Sequence, residues 1–288
     1  MKPEIRAAVK ELRADNERGA RQLALAALGA LGSVAPECSG EELRECARAL
    51  ALARPMMAAV QNAVALAWGR YLDTGDALAC VEDAKEVINT APDAMAAAAR
   101  RVVPTDTLIT FSYSSSVVEL LSRLRPRRVI VPEARPLREG LKMARELRSA
   151  GIAITFITEA QMALFMQEAD AAVVGADTIL PEGDLVNKIG TRILALAARD
   201  ADVPFYSVGE TLKVHAPSAP MPLPEEGDLL EVCGEGWLEV RNVYFEVTPA
   251  SLVTVYVTEQ GLVDPAEVGR FAQESDRRLR ALMDPPEA

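Results

Sequence analysis

From about residue 104 onward the sequence alternates short β-branched runs with helical stretches, and this alternation narrows the choice of fold more than any single motif. The runs read "TLITFSYS", "RRVIVPEA", "IAITFIT", "AAVVGAD", "VPFYSVG" and "LVTVYVT". Helical patterns fall between several of them, over roughly 137–149, 159–168 and 186–200. Strand and helix in turn, at these lengths, describe a mostly parallel sheet covered on both faces. Ligands of such sheets bind beyond the carboxyl ends of the strands. Ser112, Glu133, Arg135 and Asp177 each follow an apolar run directly, so they are expected at one rim.

Residues 1–103 have a different texture, rich in Ala, Leu, Glu and Arg and poor in β-branched side chains. In "ARQLALAALGAL", Leu23, Ala27 and Leu31 form one row and Ala24 and Leu28 the next, the spacing of an amphipathic helix. "GEELRECARALALARPMMAAVQNAVALAWGRYL" reads as a helix restarted at Pro55, and Pro92 is expected to break the helix that follows. The expected fold class is therefore α/β, with a helical domain at 1–103 and a sheet domain at 104–288. The proline-rich "APSAPMPLPEEGD" reads as a surface connection.

Half of the 288 residues are hydrophobic, enough for a sizeable core. A net charge of −11 argues against a broad nucleic-acid or anionic-membrane footprint. The longest apolar stretch, "QLALAALGALGSVA", is too short to span a bilayer, and the charged "MKPEIRAAVKELRADNERGARQ" resembles neither a signal nor a transit peptide. Four cysteines without C-x-x-C spacing and a single histidine, His215, give no expectation of a metal site or of disulfides, and the expected compartment is the reducing cytoplasm. Neither G-x-G-x-x-G nor a P-loop occurs, so no nucleotide cofactor is expected.

The densest cluster of chemistry is "VVGADTILPEGDLVNKIGT". Asp177 ends an apolar run, and ten residues on, Asn187 and Lys188 are expected at or just inside a helix whose buried row includes Ile189, Ile193 and Leu196. A helix N-terminus with an amide and an ammonium suits an anion. Equally, Asp177 can cap a turn and Lys188 can be a solvated charge. Arg135 can grip a phosphate with its planar fork or pair with Glu133 or Glu139. Ser112, Ser114, Ser115 and Ser116 can contact phosphate or cap a helix. His215 reads as a loop residue, and with one histidine a serine-hydrolase triad has little support.

Taken together, "VGADTILPEGDLVNKIGT", "VPFYSVGETLK", "EARPLREGLKMARELRSAGIAITFI" and "NVYFEVTPASLVTVYVTEQG" resemble the initiation factor 2B alpha/beta/delta family. That family includes the ribose-1,5-bisphosphate and methylthioribose-1-phosphate isomerases. The resemblance is continuous from about Thr105 to Gly261 and looser through "ERGARQLALAAL" and "ARPMMAAV". It implies a helical N-terminal domain, a Rossmann-like C-terminal domain, homodimers or larger homo-oligomers, and a phosphorylated small-molecule ligand. In the family's isomerases a phosphorylated aldose opens its ring and two protein groups move protons to give the ketose. The resemblance makes Asp177 one of those groups and assigns the substrate to Arg18, Gly19, Ala20, Arg54, Arg135, Glu139, Asn187 and Lys188. Two positions depart from the pattern. Ser112, the candidate for the second catalytic group, stands where the isomerases carry a cysteine, and Glu139 where they tend to carry glutamine. The family's regulatory translation-factor subunits also lack the cysteine, so a non-catalytic phosphate-binding subunit is the alternative.

Overall fold

The computed structural model describes residues 1–15, 18–55, 57–221 and 226–284. Its first third contains α1 (Pro3–Ala14), α2 (Ala20–Val34), α3 (Gly40–Ala51), α4 (Ala58–Thr74) and α5 (Ala77–Ala99). Local chemistry sets these boundaries. Ser39 and Glu42 form a reciprocal capping box at the start of α3. Gly75, in the left-handed region, closes α4, and the Asp76 carboxylate caps α5. The break between α3 and α4 falls around Pro55, as the sequence implies. Leu23, Ala24, Ala27, Leu28 and Leu31 are all buried, which confirms the two apolar rows of α2.

Pro92, by contrast, lies inside a continuous α5 and does not break it. A proline in a helix interior costs about 3 kcal/mol. Here α5 is anchored at both ends: Val81, Ala84 and Ile88 pack into the helical core, and Ala91, Met95 and Ala99 into the core beneath the sheet. Burying large side chains at ~1.5–3 kcal/mol each outweighs the lost backbone bond.

The second part continues with β1 (Thr107–Ile109), α6 (Ser115–Leu124), β2 (Arg128–Pro132), α7 (Gly140–Ser149), β3 (Ala153–Ile157), α8 (Met162–Met166) and β4 (Ala171–Gly175). Then come β5 (Thr178–Ile179), β6 (Leu185–Lys188), α9 (Thr191–Asp200), β7 (Phe205–Val208), β8 (Phe245–Thr248), β9 (Val255–Thr258), β10 (Gly261–Val263) and α10 (Gly269–Met283). The main sheet has the order β10-β9-β7-β4-β1-β2-β3, parallel except for the β9–β10 hairpin. Its central strands β1, β4 and β7 are buried throughout, as a sheet covered on both faces requires. The fold is thus a helical N-terminal region followed by a Rossmann-like sheet.

Two features are not visible in the alternation. One is a small antiparallel sheet, β5-β6-β8, beside the carboxyl end of β4. The other is the return of the chain to its start: Leu279 and Leu282 of α10 belong to the helical core, and the Trp68 indole donates to the Ala281 carbonyl at 3.0 Å. Residues 222–225 of the proline-rich connection lie outside the described residues.

The small sheet overturns the expected setting of Asn187 and Lys188. Both sit on β6, paired with Glu246 and Phe245 of β8, and α9 starts only at Thr191. The buried face of α9 is Thr191, Leu194, Ala195 and Ala198, while Ile193 is 60% exposed. Pairing with β8 satisfies the backbone of 185–188 in extended form, so the helix is delayed until after Gly190 (φ +102°).

Candidate functional site

A cavity of about 350 Å³ opens at the carboxyl ends of β1 and β4, where the helical region meets the sheet. It gathers residues from distant parts of the chain: Arg18, Gly19, Ala20 and Arg54 from the helices, Ser112 after β1, Glu139 before α7, Asp177 after β4, and Asn187 and Lys188 on β6. Of the ten site positions that the family resemblance points to, nine therefore share one cavity. Arg135 does not line it. Arg135 is exposed, and its guanidinium donates to the Glu231 carbonyl at 3.0 Å, outside the cavity where the resemblance expects it. Glu133 also faces away, accepting from Arg138 at 3.1 Å.

The turn after β2 is tightly built. A Cβ on Gly140 would lie 2.0 Å from the Pro132 carbonyl oxygen, so only glycine lets α7 begin this close to the end of β2. Glu139, the residue before it, is thereby aimed across the sheet rim. The Ser112 hydroxyl donates to Glu139 Oε2 at 2.9 Å, and Lys188 Nζ pairs with the same oxygen at 3.2 Å. Ser112 itself is buried and holds φ = 61°, a strained setting for a non-glycine residue. The adjacent Phe111 packs so closely on Gly190 that a Cβ there would come within 2.5 Å of the ring. One contact thus ties the Ser112 turn to the β6–α9 junction.

Lys188 is nearly buried, 4.8 Å from the Tyr244 ring centroid and 5.1 Å from that of Phe245. The buried Asn187 amide donates to Thr191 Oγ1 at 3.0 Å, which fixes its orientation. Asp177 is half-buried, and its backbone N–H donates to the Val186 carbonyl at 3.1 Å, so β6 carries it at the mouth of β4.

On the helical side of the cavity, Gly19 precedes the 15-residue α2 with no side-chain cap, leaving first-turn N–H groups available at Ala20. Arg18 pairs with Asp15 and with Glu11 (2.7 Å). Arg54 donates to the Arg13 carbonyl at 3.2 Å and pairs with no carboxylate among the described residues. Guanidinium, ammonium and helix N-terminus are the donors that phosphate recognition uses.

Met57, Phe111, Tyr113, Leu137, Glu231, Tyr244 and Phe245 also line the cavity and were not singled out from the sequence. Burial and the neighbouring Glu146 push the Tyr113 phenol up to about 12, so it stays neutral and donates to that carboxylate. The signal for Tyr244 and Phe245 lay in "NVYFEVTP", whose antiparallel pairing with β6 brings them to Lys188.

Among the serines, Ser114 rather than Ser115 caps α6, accepting from the Val117 N–H at 3.4 Å, and Ser116 donates to Glu210 at 3.4 Å. His215 is buried outside the cavity, and burial lowers its pKa. Among the described residues no group of three or more His, Cys, Asp or Glu side chains could hold a metal ion, and no helix is long and apolar enough to cross a membrane.

Known proteins are similar to this chain in sequence and fold. The putative translation initiation factor eIF-2B subunit 2-like protein of Pyrococcus horikoshii is 42% identical over 167 residues, 56% of this chain and 58% of that protein. The match thus spans less than two thirds of that relative's length. The ribose 1,5-bisphosphate isomerase of Archaeoglobus fulgidus is 33% identical over 285 residues, covering 91% of this chain and 90% of the relative. Among solved structures, the Pyrococcus horikoshii translation initiation factor eIF-2B superposes with a TM-score of 0.78 at 32% identity, over 92% of this chain and 98% of that one. The family profile matches residues 16–265, and the chain belongs to the Initiation factor 2 subunit family (IF-2B).

Proposed function

We propose that this protein is an aldose–ketose isomerase of a phosphorylated pentose, a ribose 1-phosphate carrying a second group at C5. The observation that carries this reading is the convergence of two carboxylates, Asp177 and Glu139, with Arg18, Arg54 and Lys188 in one cavity. Isomerisation of such a sugar needs the anion held and two groups that exchange protons with carbon and oxygen. The arginines and the α2 N-terminus take the phosphate. Asn187 and Lys188 bind sugar oxygens, and Asp177 exchanges protons with them. The similarity to a ribose 1,5-bisphosphate isomerase over most of both chains supports the same class of substrate.

The protein acts in the cytoplasm as a homodimer or larger homo-oligomer. Ile193, Leu230 and Trp237, 60%, 72% and 79% exposed, are apolar surface that assembly would cover.

The test is a proton-NMR time course with ribose 1,5-bisphosphate and, separately, 5-methylthioribose 1-phosphate, with the Asp177→Asn variant alongside. Ketose that forms with the wild type and fails with the variant supports the reading. Ser112 in the thiol position favours a second reading, a phosphate-binding regulatory subunit, for which both sugars would bind without any product.

A further inference from the structure

We infer that the Glu139 carboxylate is the base that moves the carbon-bound proton in this site, with Ser112 and Lys188 as the residues that position it. The inference rests on the isomerase reading. It starts from which group can exchange a proton with carbon when no thiol is present. A thiol ionises near pH 8.5 and a carboxyl near 4, whereas a serine hydroxyl has no comparable ionisation. Ser112 does not behave as a base in this geometry either. It donates its proton outward, to Glu139 Oε2 at 2.9 Å.

Glu139 is placed for the role that Ser112 leaves open. Its carboxylate lines the cavity with Asp177. One oxygen, Oε2, is occupied by Ser112 and by Lys188 at 3.2 Å, and Oε1 has no hydrogen-bond partner among the described residues. A carboxylate held at one oxygen and open at the other is oriented without being used up. The Gly140 contact with the Pro132 carbonyl and the left-handed Arg138 (φ 57°) fix the backbone on either side of it. The other acid on the wall, Glu231, is engaged at Oε2 by the Tyr244 hydroxyl (2.6 Å) and the Asn242 amide (2.9 Å).

The proton balance closes with these two carboxyls. Asp177, as the acid, gives its proton to the ring oxygen as the C1–O4 bond breaks. Glu139 takes the C2 proton, and the C–H electron pair becomes the C1=C2 double bond of an enol phosphate. Asp177 then recovers a proton from the C2 hydroxyl as the carbonyl forms there, and Glu139 returns its proton to C1. Both groups end as they began, and no oxidant or reductant is consumed.

The experiment uses full-length wild type and the Glu139→Gln, Glu139→Asp and Ser112→Ala variants with ribose 1,5-bisphosphate in deuterium oxide, following ketose formation and deuterium entry at C1. Binding is measured in parallel by ligand line broadening. Removing a general base costs about 10²–10⁴-fold. Glu139→Gln is expected to lose at least about 100-fold in turnover with binding changed by less than about tenfold. Glu139→Asp, which keeps a retracted carboxylate, should recover part of that loss. Ser112→Ala should lose only about tenfold and keep the wild-type pH profile. Glu139→Gln turnover within tenfold of wild type, or Glu139→Asp no better than Glu139→Gln, overturns the assignment. A wild type that forms no ketose removes the isomerase reading, and this inference with it.

Discussion

Directly behind the cavity, Lys213 and Glu210 form an ion pair of 3.3 Å with side chains only 5% and 6% exposed. Gly209 lies against both this lysine and Ala176: a Cβ built on Gly209 would lie 3.1 Å from Lys213 Cδ and 3.3 Å from the Ala176 Cβ. Ala176 is the residue before Asp177, so the pair backs the segment that carries the proposed acid. Replacing Lys213 by Met leaves a buried carboxylate without its paired ammonium, with only the charge of Arg21 to offset it, a loss of about 3–5 kcal/mol. Glu210→Gln should cost less, and Glu210→Gln/Lys213→Met should recover much of the loss, with a coupling of about 2–3 kcal/mol. With an m-value near the upper end of ~1–3 kcal/mol/M, Lys213→Met moves the urea midpoint down by roughly 1–2 M.

The pair also has a pH signature. Burial alone would raise the Glu210 carboxyl, but the charges of Lys213 and Arg21 and a backbone N–H outweigh it and hold it below its ordinary value. A depressed carboxyl stabilises the fold above the unfolded pKa of about 4.3, and that contribution fades as pH falls toward the folded value. The acid limb of the stability curve should therefore flatten in Glu210→Gln. Urea unfolding followed by circular dichroism between pH 7 and 3 reads both effects. A Lys213→Met loss below about 1 kcal/mol, with the double variant equal to the sum of the singles, would refute the reasoning.

Two further outcomes follow from the cavity walls. Gly190→Ala places a Cβ in the left-handed region and against the Phe111 ring, costing about 1–2 kcal/mol for the backbone and about 1–3 for overpacking. Its thermal midpoint should fall by at least about 4 °C, and a shift within 1 °C would show that the contact is slack. Arg54→Ala removes a charge-assisted phosphate donor worth about 1.5–3 kcal/mol, so KM should rise roughly 10- to 150-fold with kcat changing less. An unchanged KM would take Arg54 out of the site.

The sheet was legible because parallel strands buried on both faces read as apolar runs with helices between, and β1, β2, β3, β4, β7 and β9 all fall within the quoted runs. Local pattern misled where tertiary pairing prevailed. Asn187 and Lys188 look like a helix start, yet β8, more than fifty residues later, draws them into a ladder. Pro92 looks like a stop, but two cores hold α5 straight through it. Asp177 and Ser112 both line the cavity, and position directly after a strand is what singled them out in the sequence. Arg135 also follows a strand yet does not line the cavity, since position after a strand does not say which way a side chain leaves the turn. The bond between Ser112 and Glu139 joins residues 27 apart, and no periodicity in the sequence encodes it.

The most direct measurement of the central claim follows ribose 1,5-bisphosphate labelled with carbon-13 at C2, incubated with purified wild type and with Asp177→Asn. The account predicts that the label moves from the alcohol to the ketone region with wild type and stays in place with the variant, while both proteins broaden the substrate signals. Binding by the wild type without a ketone signal, at any protein concentration, would contradict it and leave the cavity a phosphate-binding site without chemistry.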